Sequence, residues 1–272
     1  MRKISAIKIK EAVAELAGRA NFFLRKDVLI ALRKAYALEK NKRAKKILKA
    51  VLDNAAYAEK EKLAICQDTG MGIVFAQVGQ KVIIEGDLKA AINKGLADGY
   101  KKYSLRNSIV RDPLSRGKPG SSPCVIHTDI VKGNKIKLTL LPKGFGCENK
   151  SRLKMFKPTA SIEEIKKFIL EAVKSAGPDA CPPFVVGVGI GGTADYACLL
   201  AKRALLKNIG GKSKLEKDLL KEINKLNIGP MGLGGRTTCL GVNIATYPTH
   251  IAGLPVSVNI SCHALRSSAK IL

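Results

Sequence analysis

The apolar residues of this chain keep a helical period over positions 1–62 and then lose it, and that switch limits the architectures open to it. Ile7, Val13, Leu16 and Ala17 recur at a spacing near 3.6, as do Val28, Leu29, Leu32 and Ala35, and then Ile47, Leu48, Val51 and Leu52. Past Ala64, short apolar runs alternate with glycine-rich breaks. Strands are expected over 73–78, 82–84, 125–131, 135–141 and 184–190, with short ones near 240–242 and 256–258. Helices are expected over 87–103, 161–173, 194–206 and 213–226. Ser161 followed by Glu164 forms a capping box, Asp27 is expected to cap the second helix, and Asn41 to end it. Gly133-Asn134 is expected to join 125–131 and 135–141 as a hairpin. The reading is a mixed α/β fold: a helical N-terminal subdomain over 1–62, then an irregular α/β domain, the whole of 1–272 forming one domain.

A hydrophobic fraction of 46% is enough for a substantial core. No apolar run approaches the roughly 20 residues that span a bilayer, and no signal-peptide core follows Met1-Arg2-Lys3, so a cytoplasmic protein without membrane contact is expected. Lys and Arg number 48 against 22 Asp and Glu, a net +26 that attracts nucleic acid, an acidic subunit or small anions. The excess is spread along the chain, aromatics are 5% and Trp is absent, which argues against a base-stacking platform. Runs such as Glu59-Lys60-Glu61-Lys62 read as solvated helix faces. A nucleic-acid-binding module therefore rests on charge alone.

Cys66, Cys124, Cys147, Cys181, Cys198, Cys239 and Cys262 contain no C-x-x-C pair, which excludes a zinc ribbon or finger. Cys124, Cys198 and Cys239 read as core. Cys66, Cys181 and Cys262 lie in segments that read as loops, and Cys147 in a glycine loop is their one rival as a ligand. Three such thiols would suit an iron–sulfur cluster with one iron lacking a protein ligand, but spacing alone favours reading each, taken singly, as a buried, inert thiol. Asp68 stands beside Cys66 and offers a carboxylate for proton transfer. His127 alternates within a strand and reads as structural, His250 sits in a loop ahead of Cys262, and His263 adjoins Cys262. Gly187-Val188-Gly189-Ile190-Gly191-Gly192 lacks the acid expected about twenty residues later in a dinucleotide site, so helix packing or a backbone anion site is favoured. The loop over 106–123 is long enough to be functional.

Six segments stand out in order: Cys66-Gln67-Asp68-Thr69-Gly70; Ser104-Leu105-Arg106-Asn107-Ser108 with Arg111-Asp112-Pro113; Lys143-Gly144-Phe145-Gly146-Cys147-Glu148-Asn149-Lys150; Cys181-Pro182-Pro183 with Gly189-Ile190-Gly191-Gly192-Thr193; Gly232-Leu233-Gly234-Gly235; and Pro248-Thr249-His250 before Ser261-Cys262. Together they resemble the class I (iron–sulfur) fumarate hydratase family, specifically the alpha subunit of its two-subunit members, a type shared with L-tartrate dehydratase. The resemblance implies a hydro-lyase that hydrates fumarate reversibly to L-malate in the tricarboxylic acid cycle, with L-tartrate dehydration as the alternative. It implies a [4Fe–4S] cluster held by Cys66, Cys181 and Cys262. It implies substrate contacts from Gln67, Asp68, Arg106, Gly146 and His250, with Asp68 and His250 catalytic. A beta subunit is expected to complete the site, as an α2β2 heterotetramer, and the alpha chain alone is expected to be inactive. Gly144-Phe145-Gly146-Cys147 departs from the family's Gly-Gly-Gly-Ser, which narrows the pocket or adds a fourth thiol.

Overall fold

In the computed structural model, which describes every residue except Lys212, the first elements are β1 (Arg2–Ser5), α1 (Ala6–Phe22), α2 (Lys26–Leu38), α3 (Lys42–Glu61), β2 (Met71–Gly79), β3 (Val82–Glu85) and α4 (Leu88–Lys102). They are followed by β4 (Val125–Val131), β5 (Ile136–Lys143), α5 (Phe145–Glu148), β6 (Arg152–Phe156), α6 (Ile162–Ala176), β7 (Phe184–Gly192) and α7 (Ala194–Leu205). The last are α8 (Lys214–Lys225), β8 (Cys239–Thr249), β9 (Leu254–Ser261) and β10 (Ser268–Ile271). The fold is mixed α/β with a helical N-terminal region. Two compact units emerge: Met1–Leu24 with Ala55–Phe145 and Arg266–Leu272, and Arg25–Asn54 with Gly146–Leu265. The helices of the first 62 residues serve both, α1 in the first, α2 in the second and α3 in each.

In the first unit α1 begins where the Ser5 hydroxyl accepts the Lys8 N–H, and α4 where Asp87 accepts from Ala90. The two helices meet backbone to backbone because a Cβ on Gly95 would lie 2.4 Å from the Lys10 carbonyl oxygen. Ile9, Val13, Leu16, Leu96 and Tyr100 pack with Val74, Leu138 and Leu140 into one core. Its sheet runs β10-β5-β2-β4, and a separate parallel pair joins β1 to β3.

The expected hairpin is not formed. β2 lies between its two strands, parallel to β4 and antiparallel to β5. The cause is burial: β2 is apolar and buried over most of its length, whereas β4 leaves Ile130 75% exposed at an edge. The connection between β4 and β5 crosses the end of β2, where Gly79 N–H donates to Lys135 O (2.9 Å) and Lys81 N–H to Gly133 O (2.9 Å). A Cβ on Gly79 would stand 2.6 Å from the Gly133 oxygen, so the crossing needs glycine.

The second unit is built on the sheet β6-β9-β7-β8, with β7 parallel to β8 and antiparallel to β9. α6 and α8 each start with a complete capping box, Ser161–Glu164 and Ser213–Glu216. The 187–192 glycines serve packing: Cβ atoms on Gly187 and Gly189 would fall 2.2 and 2.0 Å from carbonyl oxygens of α7. Asp27 does not cap α2; it pairs with Arg25 and accepts the Ile209 N–H (2.8 Å), a partner remote in sequence. Asn41 starts α3 rather than ending α2, accepting the Arg43 and Ala44 N–H groups. β1, β6 and β10 were not anticipated; all are short, and β6 is exposed over most of its length.

Candidate functional site

In the first unit the Cys66–Gly70 segment is a turn whose polar atoms are claimed from four directions. Gly70 N–H donates to Asp68 Oδ1 (3.0 Å) and Phe145 N–H to Asp68 Oδ2 (2.9 Å), so both carboxylate oxygens are oriented by backbone donors. A side chain on Gly144 would crowd the same carboxylate, its Cβ 2.9 Å from Oδ2. Gly70 has a φ of +78° and a Cβ there would sit 2.7 Å from the Lys143 nitrogen, so the turn needs glycine. The Tyr100 hydroxyl lies 2.8 and 2.9 Å from the Thr69 and Gly70 carbonyl oxygens, and burial pushes its pKa up to about 12, which keeps it a donor. The Arg266 guanidinium donates through Nη2 to the Asp68 carbonyl.

Thr69 Oγ1 donates to the Arg106 carbonyl (3.1 Å), which joins the loop of Arg106 to that of Gln67 and Asp68. Gln67 and Arg106 are exposed, while Cys66 and Asp68 are half-buried. Four of the expected site residues are therefore gathered at one edge of this unit.

In the second unit Cys181 is exposed and left-handed, with φ +51°, a conformation a residue preceding proline rarely adopts. Its N–H donates to Pro178 O, and its carbonyl accepts the His263 N–H (3.4 Å) with His263 Nδ1 at 3.1 Å. Cys262, half-buried at the end of β9, is thereby held beside the Cys181 turn. The segment beginning at Gly146 is tied to the same turn: Lys150 pairs with Asp179 at 3.1 Å, and Cys147 Sγ donates to Ala180 O at 3.3 Å. Cys147 is buried in the core there. The Gly229–Gly235 segment reaches the same turn through Met231 N–H and Pro182 O (3.0 Å).

His250 lies elsewhere in this unit. Val185 pairs with Ser261 at one end of β7, and Gly192 pairs with Thr249 at the other. At ~3.3 Å per residue the run from Val185 to Gly192 puts roughly 23 Å between the Cys181–Cys262 end and the turn that carries His250. There His250 is exposed and its Nδ1 accepts the Ala252 N–H (3.2 Å).

No disulfide joins any of the seven cysteines. Burial pushes the thiols of Cys124 and Cys239 up to about 11 and about 12, as suits inert core groups. His127 stacks on Phe75 with ring centres 5.3 Å apart, in a packing role. Among the described residues no three His, Cys, Asp or Glu side chains stand ready around a single metal ion, and no helix is long and apolar enough to cross a membrane. The three thiols are of the donor type an iron–sulfur group takes: Cys181 is exposed and Cys262 half-buried at one sheet end, and Cys66 is half-buried in a loop. Sequence reasoning missed Tyr100 and Arg266. Tyr100 reads as an ordinary core position of α4, and Arg266 as part of a basic tail.

The first unit thus holds a polar turn around an oriented aspartate, and the second a pair of cysteines on neighbouring turns. The match to the fumarate hydratase (Fumerase) family spans residues 10–270, and the chain belongs to that hydro-lyase family. Among its relatives is a protein of Methanocaldococcus jannaschii provisionally named L(+)-tartrate dehydratase subunit alpha, 41% identical over 97% of each chain. The L(+)-tartrate dehydratase alpha subunits of Escherichia coli K12 and Shigella sonnei are each 30% identical, over 95% of this chain and 89% of theirs.

Proposed function

We propose that this chain is the alpha subunit of a cytoplasmic iron–sulfur hydro-lyase that interconverts fumarate and L-malate, the tricarboxylic acid cycle step. The observation that carries the reading is the Thr69–Arg106 hydrogen bond, which ties the main chain of the Arg106 loop to the turn that holds the oriented aspartate. Cys66, Cys181 and Cys262 would hold a [4Fe–4S] cluster. When bound, that cluster supplies a Lewis-acidic iron that polarises the substrate's C–O bond without a change of redox state.

Arg106 clamps a carboxylate of the diacid with its planar fork. Gln67 and the Gly146 backbone donate hydrogen bonds to the diacid. Asp68, aimed by the Gly70 and Phe145 N–H groups, exchanges the proton on the carbon next to the C–O bond at one of its carboxylate oxygens. A beta subunit supplies the proton-transfer partner and further cations, in an α2β2 assembly. His250 would contact the diacid and take part in catalysis, as the resemblance implies. The names of the relatives favour a second reading, dehydration of L(+)-tartrate.

Anaerobic purification with the beta subunit, followed by iron and sulfide analysis and assays with fumarate, L-malate and L(+)-tartrate, tests both. Bound iron and sulfide with turnover of fumarate supports the first reading, and turnover of tartrate alone the second. An iron-free complex inert toward all three diacids overturns both.

A further inference from the structure

Arg266 is 4% exposed, yet its hydrogen bond goes to a neutral group, the Asp68 carbonyl. Its Nε–H is buried with no hydrogen-bond partner among the described residues. A guanidinium taken out of water without an anion carries a large desolvation cost, and a neutral amide would serve a carbonyl as well. A buried cation with a spare donor, beside the one aspartate whose carboxylate the Cys66–Gly70 turn orients, is therefore suited to negative charge that arrives with an occupant. Tyr100, which shares this surrounding, donates to the Thr69 and Gly70 carbonyls and supplies no charge.

We propose that Arg266 is a positioning and charge-supporting residue of the site: through Nη2 it fixes the Asp68 main chain, and through its charge and free Nε–H it supports an anion held at the Cys66–Gly70 turn. This rests on the hydro-lyase reading. The anion is an acceptor of guanidinium N–H bonds, and two sources share that chemistry, a carboxylate of the diacid and the sulfur atoms of the cluster with its thiolates.

The test uses the anaerobically purified complex with its beta subunit, as wild type, Arg266→Gln and Arg266→Lys. Two readouts do not depend on turnover: calorimetric titration with succinate, a saturated diacid, and the cluster's visible spectrum and reduction potential. With the substrate carboxylate as the source, Arg266→Gln weakens succinate binding by about tenfold, the loss of one charge-assisted bond, and Arg266→Lys restores most of it. KM then rises more than kcat falls. With cluster sulfur as the source, succinate binding holds and the potential of Arg266→Gln shifts to more negative values. Either result supports the proposal, as does a Gln variant that fails to fold while the Lys variant folds. An Arg266→Gln complex that matches wild type in succinate affinity, spectrum and potential overturns it, and so does unfolding of both variants. A wild-type complex that turns over no diacid sinks the hydro-lyase reading, while the succinate titration still decides the role of Arg266.

Discussion

The two turns that carry the candidate ligands are held in different ways. The Cys66–Gly70 turn is fixed from outside: Tyr100 of α4, the Phe145 N–H, the Arg106 loop and Arg266 each take a polar atom of it. The Cys181 turn is also held by distant residues, His263, Lys150, Cys147 and Met231, but it adds stiffness of its own: Pro178, Pro182 and Pro183 restrict its backbone, and the left-handed Cys181 bonds back to Pro178. A turn of the first kind keeps its geometry only while distant elements stay in place. One of the second kind carries part of its geometry in its own prolines and stores backbone strain at the cysteine, of a kind that concentrates at functional positions.

The largest test of this contrast is loss of the thiols. Cys66→Ser, Cys181→Ser and Cys262→Ser are each expected to abolish bound iron and sulfide and to reduce activity to background; a single variant with full iron content and activity removes that residue from the ligand set.

Gly70→Ala comes next. It forces a side chain onto the Lys143 backbone at positive φ and is expected to cost about 2–3 kcal/mol, read as a lowered denaturation midpoint with unchanged m-value. An unchanged midpoint would mean that the turn adapts freely.

Tyr100→Phe leaves the Thr69 and Gly70 carbonyls without their donor and is expected to cost about 1–3 kcal/mol. It also carries a pH signature. Burial raises the Tyr100 pKa from near 10 to about 12, so its contribution is fully present below pH 10 and is lost as pH rises through 12. Wild-type stability should therefore fall across that window by about 3 kcal/mol more than that of Tyr100→Phe. Parallel alkaline curves would show that the hydroxyl is not held as described.

The smallest effect has the opposite sign. Cys181→Gly relieves the left-handed backbone and should stabilise the metal-free chain by about 0.5–1 kcal/mol, after allowing for the added freedom of glycine in the unfolded state. Cys66→Gly should give no such gain. Equal effects at the two positions would erase the distinction between the turns.

Much of this was legible in the residues themselves. The capping box at Ser161 works over three residues, so local chemistry decides it. The motif from Cys66 to Gly70 declared a turn with chemistry because cysteine, amide, carboxylate and glycine side by side suit little else. Other features were beyond reach. A polar atom takes whichever partner satisfies it best, and for Asp27 that partner included the Ile209 N–H, far along the chain. The short edge strand β6 is exposed over most of its length and gives no periodic signal.

The helices, the buried strands and the family are written in the residue order, because caps, apolar periods and short motifs act within a few residues. Long-range packing is what makes β2 divide β4 from β5, sets His250 a sheet's length from Cys181 and Cys262, and closes Arg266 on Asp68. Strand order, register and the pairing of buried charge are settled by which distant surfaces exclude water together, and no local stretch of residues encodes that.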